Sequence, residues 1–428
     1  MNKEDFASPL AGRKRRKPPL IRLILLVALL LGAYFFLKES PQESDNLHSD
    51  SLAESELIAA VEPQKSAGQE PEGAVKVEEE ATPKPENQPG FEESFLARQG
   101  DKKLAGKLLE VLRSQSPYSG FYLMVDAESG EILAWGQQEE FSARAVPTYL
   151  SRSDFPAASL AKIVTAAAAL ESNRYSNHTK IPLIGSSVTL YKQQLEVPKH
   201  YKGKRVTLER SFASSMNPSM AIAGMSLGGA RLEQAAKELG FNYPFPNAVP
   251  GTSLFRPPAS GFGLAEFASG FTTKVTLSPL LAAAIVRSIL KGEPPELPWS
   301  NLAGPDHAHS APKKLYTSAF SKNTYYGLRR MFEATVKSGS ARSIFRDDRT
   351  FYPGNRKRLR VGGKTGTKNG GDLRYEWFAG YALDRKDPSK GVVVICLHMN
   401  QLKGTRASHP AQAAALLINH WAKEYIQW

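Results

Sequence analysis

The sequence predicts an α+β fold: one antiparallel sheet formed from both ends of a domain spanning 102–428, flanked by helices, with an all-helical lobe between the two sets of strands. Three observations lead there. Strand-like runs lie near residues 121–136 and again near 359–399, with helical spacing dominating between them. No internal repeat recurs at a solenoid-like period, so one core is expected rather than an array. The charge is sorted into three blocks, and only the last has the composition of a folded domain. At roughly 325 residues that block is large for one core, and a sheet layer plus a helical lobe accommodates it.

Residues 103–113 open the domain as a helix, with Leu104, Leu108, Leu109 and Leu112 on one side. Two strands follow at 121–126 and 131–136, joined by the turn-forming Ala127-Glu128-Ser129-Gly130. Phe155-Pro156-Ala157-Ala158 then leads into Ser159-Leu160-Ala161-Lys162 and the alanine run 166–169. That run is apolar on nearly every side, which predicts a buried helix with Ser159 at or near its start. Residues 208–225 are helix-like with Pro218 inside, and Ser215-Met216-Asn217 lies just before that proline, where a turn or helix start would expose both polar side chains. A strand is expected from 359 through Gly362-Gly363 to 364–367, the glycines marking close approach of other atoms and room that an extended ligand could use. Strands at 376–383 and 391–399 and an Ala/Leu-rich helix at 410–425 complete the chain. The single cysteine, Cys396, falls in the apolar run 392–397 and is expected as a small buried hydrophobe in a strand. One thiol allows no internal disulfide, so stability must come from the core.

Ahead of the domain, residues 1–38 carry a net +6 (eight Lys/Arg against two Asp/Glu) and residues 39–101 a net −12 (four against sixteen). With a chain total of +13, the remainder therefore carries +19. Residues 1–19 read as a basic cytoplasmic tail and 20–37 as an uncleaved transmembrane anchor. Eighteen helical residues span roughly 27 Å, close to the hydrocarbon thickness, and Arg22 near one end can snorkel. Residues 38–101, rich in Glu, Pro, Ser and Gln, are expected to be a disordered acidic linker. An exported domain does not meet nucleic acid, which removes that explanation of the high isoelectric point. Asp306-His307-Ala308-His309 sits in a proline-containing stretch without further ligands at useful spacing, so no metal is expected.

Three short segments carry the chemistry. Ser159 and Lys162, at i and i+3, share a helix face within one turn. Burial lowers a lysine pKa, so Lys162 can take the proton of a nucleophilic Ser159 hydroxyl, while the helix start offers N–H groups to an oxyanion. Ser215 is a candidate proton shuttle to a leaving amine, and Asn217 a donor and acceptor for a substrate amide. Lys364-Thr365-Gly366-Thr367 puts a cation beside two hydroxyls that suit a terminal carboxylate, with the Thr367 backbone N–H as the second oxyanion donor after that of Ser159. Each pattern alone also fits a plain helix cap or a surface strand with a basic end. Ser310-Ala311-Pro312-Lys313, Ser44-Asp45-Asn46 and Ser321-Lys322-Asn323 match the same spacings by chance.

In this order the segments SxxK, SxN and KTG resemble the penicillin-binding protein family, whose transpeptidase domain has serine β-lactamases as relatives. The likeness covers about 119–428. It includes the opening hairpin from Val125 to Ala134, the Leu239-Gly240-Phe241 region, Thr276-Leu277-Ser278-Pro279 and Gly339-Ser340-Ala341. Ala161 departs from it, since many members carry an aromatic residue before the lysine. The resemblance implies acylation of Ser159 by the D-alanyl-D-alanine end of a peptidoglycan stem peptide, and then attack by an amine of a neighbouring strand to form a cross-link. Lys162, Ser215, Asn217 and Lys364 would be the other catalytic groups, and Thr365, Gly366 and Thr367 the substrate-binding strand. It also implies acylation by β-lactam antibiotics, no cofactor, and a catalytic domain outside a bacterial cytoplasmic membrane. With no glycosyltransferase region recognisable, the partner polymerase would be a separate protein, alongside division or elongation proteins. Water in place of the amine would make the protein a DD-carboxypeptidase or a β-lactamase. A non-catalytic penicillin-binding scaffold or sensor is the reading from a different class.

Overall fold

The computed structural model describes residues 101–426 apart from 140–149, 151, 245–250, 299–314, 316–319 and 405. The expected tail, anchor and linker, the Asp306–His309 stretch, and the chance matches at Ser310 and Ser44 lie outside the described residues. Helix α1 (Lys102–Gln115) is capped by Asp101, whose carboxylate accepts from the Lys103 and Leu104 amides. The hairpin β1 (Ser119–Asp126) and β2 (Ile132–Glu139) follows. Past a short 3₁₀ turn (Ala158–Ala161), helix α2 (Lys162–Glu171) begins the helical region. Two short strands, β3 (Lys180–Pro182) and β4 (Arg205–Thr207), pair antiparallel. The helices α3 (Leu208–Ala213), α4 (Asn217–Leu227), α5 (Gly229–Glu238), α6 (Gly261–Ser269), α7 (Pro279–Lys291) and α8 (Lys322–Lys337) come next. Short helices α9 (Arg342–Arg346) and α10 (Pro353–Arg358) lead to strands β5 (Leu359–Gly370), β6 (Leu373–Asp384) and β7 (Gly391–Gln401) and to helix α11 (Pro410–Tyr425).

The five-stranded sheet runs β2-β1-β7-β6-β5, antiparallel throughout, so the first hairpin pairs with the last strand and the two ends of the domain close one sheet, as the sequence predicts. The sheet separates two cores. Leu123, Trp377, Ala379, Tyr381 and Ile395 pack with the helical lobe, while Tyr122, Phe378, Val394 and Cys396 pack with α1 and α11. A sheet covered on both faces buries successive residues, which is why β7 is apolar along nearly its whole length rather than alternating. Cys396 is fully buried there.

Two expectations are corrected. The helix-like stretch 208–225 is two helices, with the turn or helix start expected just before Pro218 falling between them: α3 ends at Ala213, and α4 starts at Asn217 with Pro218 in its first turn. A proline lacks the N–H of a helix interior and clashes with the carbonyl four residues back, so the chain breaks before it. The close approach at Gly362 and Gly363 is made by the protein itself: a Cβ at either position would lie 2.7 Å from the Tyr381 ring or 2.4 Å from the Phe378 ring. The room serves the neighbouring strand rather than a ligand.

Candidate active site

The segment leading to Ser159 is pinned before the serine is reached. Ala157 N–H donates to the Val275 carbonyl (2.9 Å), Leu277 N–H to the Phe155 carbonyl (2.9 Å), and the Trp377 indole N–H to the Pro156 carbonyl (2.9 Å). Ser159 sits in the 3₁₀ turn, and Lys162 opens α2 one turn later, fully buried. β5 presses directly on this turn: a Cβ at Gly366 would lie 2.9 Å from Leu160 and 3.2 Å from the Ala158 methyl. Behind it, Gly270 has φ +65° and stands so close that a Cβ would lie 2.0 Å from the Ala158 carbonyl oxygen.

Lys162 Nζ lies 2.7 Å from Ser159 Oγ, 2.8 Å from Asn217 Oδ1 and 2.5 Å from the Ser269 carbonyl oxygen. The Asn217 amide is oriented by its own Nδ2, which donates to the Val188 carbonyl (2.7 Å). Two of the three partners of the amine can therefore only accept. Burial, reinforced by the nearby Lys364 cation, holds Lys162 well below the ordinary lysine range. A neutral amine has two N–H groups and one lone pair. In the neutral form the oxygens of Asn217 and Ser269 would take the two N–H groups and leave the lone pair for the Ser159 hydroxyl, whereas the ammonium form donates to all three.

Ser215 lies in the break between α3 and α4 with φ +55°, a left-handed conformation that costs a non-glycine residue on the order of 1–3 kcal/mol. Lys364 Nζ donates to Ser215 Oγ (3.0 Å) and to the Thr365 carbonyl (2.8 Å), and stands 5.4 Å from the Phe212 ring centroid. Burial lowers its pKa from 10.5 to about 7. Thr365 and Thr367 share the opposite face of β5, and Thr365 Oγ1 is 2.6 Å from Ser340 Oγ. β5 is an outer strand of the sheet, so one row of its amides is not taken up by β6.

All of Ser159, Ser215, Asn217, Thr365, Gly366 and Thr367 line one cleft of about 490 Å³, with Lys162 and Lys364 buried beneath its surface. Ser321, by contrast, is the N-cap of α8, its hydroxyl accepting from the Thr324 amide, so that SxN match is a helix start. Several lining residues were given no role in the site from the sequence: Ser340, Phe271, Lys368 and His409. Ser340 had a signal in Gly339-Ser340-Ala341, and Lys368 directly follows Thr367 in β5. Phe271 and His409 had none, because what brings them to the cleft is the packing of distant elements.

The arrangement suits nucleophilic attack by Ser159 on an acyl carbon, with a buried amine as base. The profile of the family described as "Penicillin binding protein transpeptidase domain" matches residues 120–417. Among solved structures, penicillin-binding protein A of Mycobacterium tuberculosis is similar, at 18% identity and TM-score 0.57, over 75% of this chain and 80% of that one. The same protein as an imipenem acyl-enzyme complex is 20% identical, with TM-score 0.54, over 75% and 78%. The transpeptidase domain of Burkholderia pseudomallei penicillin-binding protein 3 is 17% identical, with TM-score 0.55, over 78% and 97%. No curated protein matches the chain.

Proposed function

This chain belongs to the penicillin-binding protein transpeptidase-domain family, and we propose that it is a peptidoglycan DD-transpeptidase acting through a Ser159 acyl-enzyme. The observation that carries the reading is the hydrogen bonding of Lys162, which leaves its lone pair for Ser159 Oγ at 2.7 Å. Ser159 Oγ attacks the carbonyl of the terminal D-alanyl-D-alanine bond as its proton passes to Lys162 Nζ. The backbone N–H groups of Ser159 and Thr367 receive the oxyanion. Ser215, beside Lys364, passes a proton to the departing D-alanine nitrogen, and Asn217 holds the substrate amide. Thr365 and Thr367 take the terminal carboxylate. An amine from a neighbouring stem peptide then attacks the ester carbonyl and frees Ser159, forming the cross-link. A β-lactam enters by the same attack, but the opened ring keeps its leaving nitrogen tethered, so the acyl-enzyme persists. Residues 20–37 would anchor the protein with the domain outside the cytoplasmic membrane, next to a separate glycosyltransferase supplying glycan strands.

The test is the intact mass of the full-length chain after addition of a penicillin, with Ser159→Ala alongside. An adduct that needs Ser159 and lasts many minutes supports the reading. Rapid loss of the adduct with consumption of drug would make the protein a β-lactamase, and no adduct would favour a non-catalytic scaffold. With a D-Ala-D-Ala-terminated pentapeptide and an amine acceptor, a cross-linked product is expected. D-alanine release without it would indicate a carboxypeptidase.

A further inference from the structure

The cleft has a wall that none of the three motifs supplies. Thr367, Glu376 and His398 stand opposite one another across β5, β6 and β7 and so share one face of the sheet. The connection from β7 to α11 is fastened over that face. Arg406 pairs with the fully buried Glu376, which also accepts from Asn400 Nδ2 (3.1 Å). His398 Nδ1 meets the Ser408 carbonyl (2.9 Å), and its Nε2 meets the Tyr122 hydroxyl (2.6 Å). This fastening delivers His409, the residue before α11, to the cleft that Thr365 and Thr367 line.

The orientation of the His409 ring is fixed by its role as N-cap. Nδ1 accepts from the Ala411 amide (3.1 Å), so it carries no proton and the ring proton resides on Nε2. Among the described residues, Nε2 has no hydrogen-bond partner. Burial first, then the Arg406 and Lys364 cations, press the ring towards neutrality, and Glu376 opposes them. His409 thus shares the lining of the cleft with two threonines, Thr365 being held by Ser340 (2.6 Å), and carries a ring N–H whose position the helix cap sets.

We infer that His409 is a specificity-determining residue whose Nε2–H donates to the free carboxylate of the substrate, sharing it with Thr365 and Thr367. The inference rests on the transpeptidase reading above. A neutral donor adds recognition here without adding a further cation to those of Arg406 and Lys364.

The experiment compares acylation of the full-length chain by a penicillin and by its methyl ester, which has the same reactive ring but no free carboxylate. His409→Ser keeps a side-chain oxygen to cap α11 and removes the ring. His409→Asn is the second capping variant should the first not fold. The ratio of the acid rate to the ester rate is expected to fall about tenfold, the worth of one hydrogen bond to a charged group. An unchanged ratio, with both rates falling together or neither falling, overturns the inference and leaves His409 a helix cap. A wild-type chain that is never labelled at Ser159 overturns the transpeptidase reading and this inference with it. A wild-type chain labelled equally by acid and ester overturns this inference alone.

Discussion

The role proposed for Lys162 as a base follows from how its three partners divide. Asn217 Oδ1 and the Ser269 carbonyl can only accept, so a neutral amine turns its lone pair to Ser159. Lys162→Met should lower the rate of acylation by a penicillin about 10²–10⁴-fold, the usual loss on removing a general base, measured by stopped-flow mixing or mass spectrometry. The amine works when unprotonated, and its pKa is lowered, so acylation should rise with pH along a limb lying well below the ordinary lysine value. The Lys364 cation contributes to that lowering. Lys364→Met should therefore raise the Lys162 pKa and move the limb to higher pH, and a limb that stays in place would count against the coupling. At this scale the sequence was informative about the reactive pair, because i and i+3 on one helical turn are neighbours whatever surrounds them. It was silent on His409 and Phe271, whose residue types and spacings match no chemical pattern.

The elements around Ser159 are positioned by close backbone contact. The 3₁₀ turn bearing Ser159 is held between Gly366 of β5 and Gly270 after α6, and α6 also ends on the Ser269 carbonyl that binds Lys162. Gly270→Ala would drive a Cβ to 2.0 Å from the Ala158 carbonyl at a backbone angle that L-residues avoid. It should destabilise the fold by about 1–3 kcal/mol or more in denaturant unfolding, and slow Ser159 acylation because both sides of the base move. A variant with unchanged stability and acylation would refute this account of the turn. The strands, the first helix and the last were legible to within a few residues from apolar spacing and turn residues, and the 410–425 helix agrees at both ends. The exception was 208–225, helix-like along its length with only a turn or helix start expected before Pro218. Pro218 and the left-handed Ser215 instead make a break that aims Ser215 and Asn217 into the cleft.

For the whole molecule, two lysines buried under one cleft are a cost that depends on pH. The unfolded chain holds a lysine proton up to about 10.5, whereas Lys364 in the fold releases it near 7. Between those values the unfolded state binds more protons, so stability rises with pH across the window; the penalty is absent above it and complete below it. From pH 7 to 9 the wild-type chain should gain roughly 2 kcal/mol relative to Lys364→Met, read from denaturant midpoints at the two pH values. Equal pH dependence of the two proteins would show that Lys364 keeps its proton in the fold from pH 7 to 9.

What the sequence determined by itself is whatever depends on near neighbours: the strand and helix runs, the pairing of Ser159 with Lys162, and the three motifs in their order. What only the tertiary structure decided is the joining of groups 55 and 149 residues apart, Lys162 with Asn217 and Lys364 with Ser215, in one cleft. The same packing set the depressed lysine pKa values and brought the Ser269 carbonyl and His409 to the site. The reason is that conformational preference and spacing act over a few residues, whereas desolvation and hydrogen-bond partnership belong to surfaces that exist only once the sheet and the helical lobe have closed on each other.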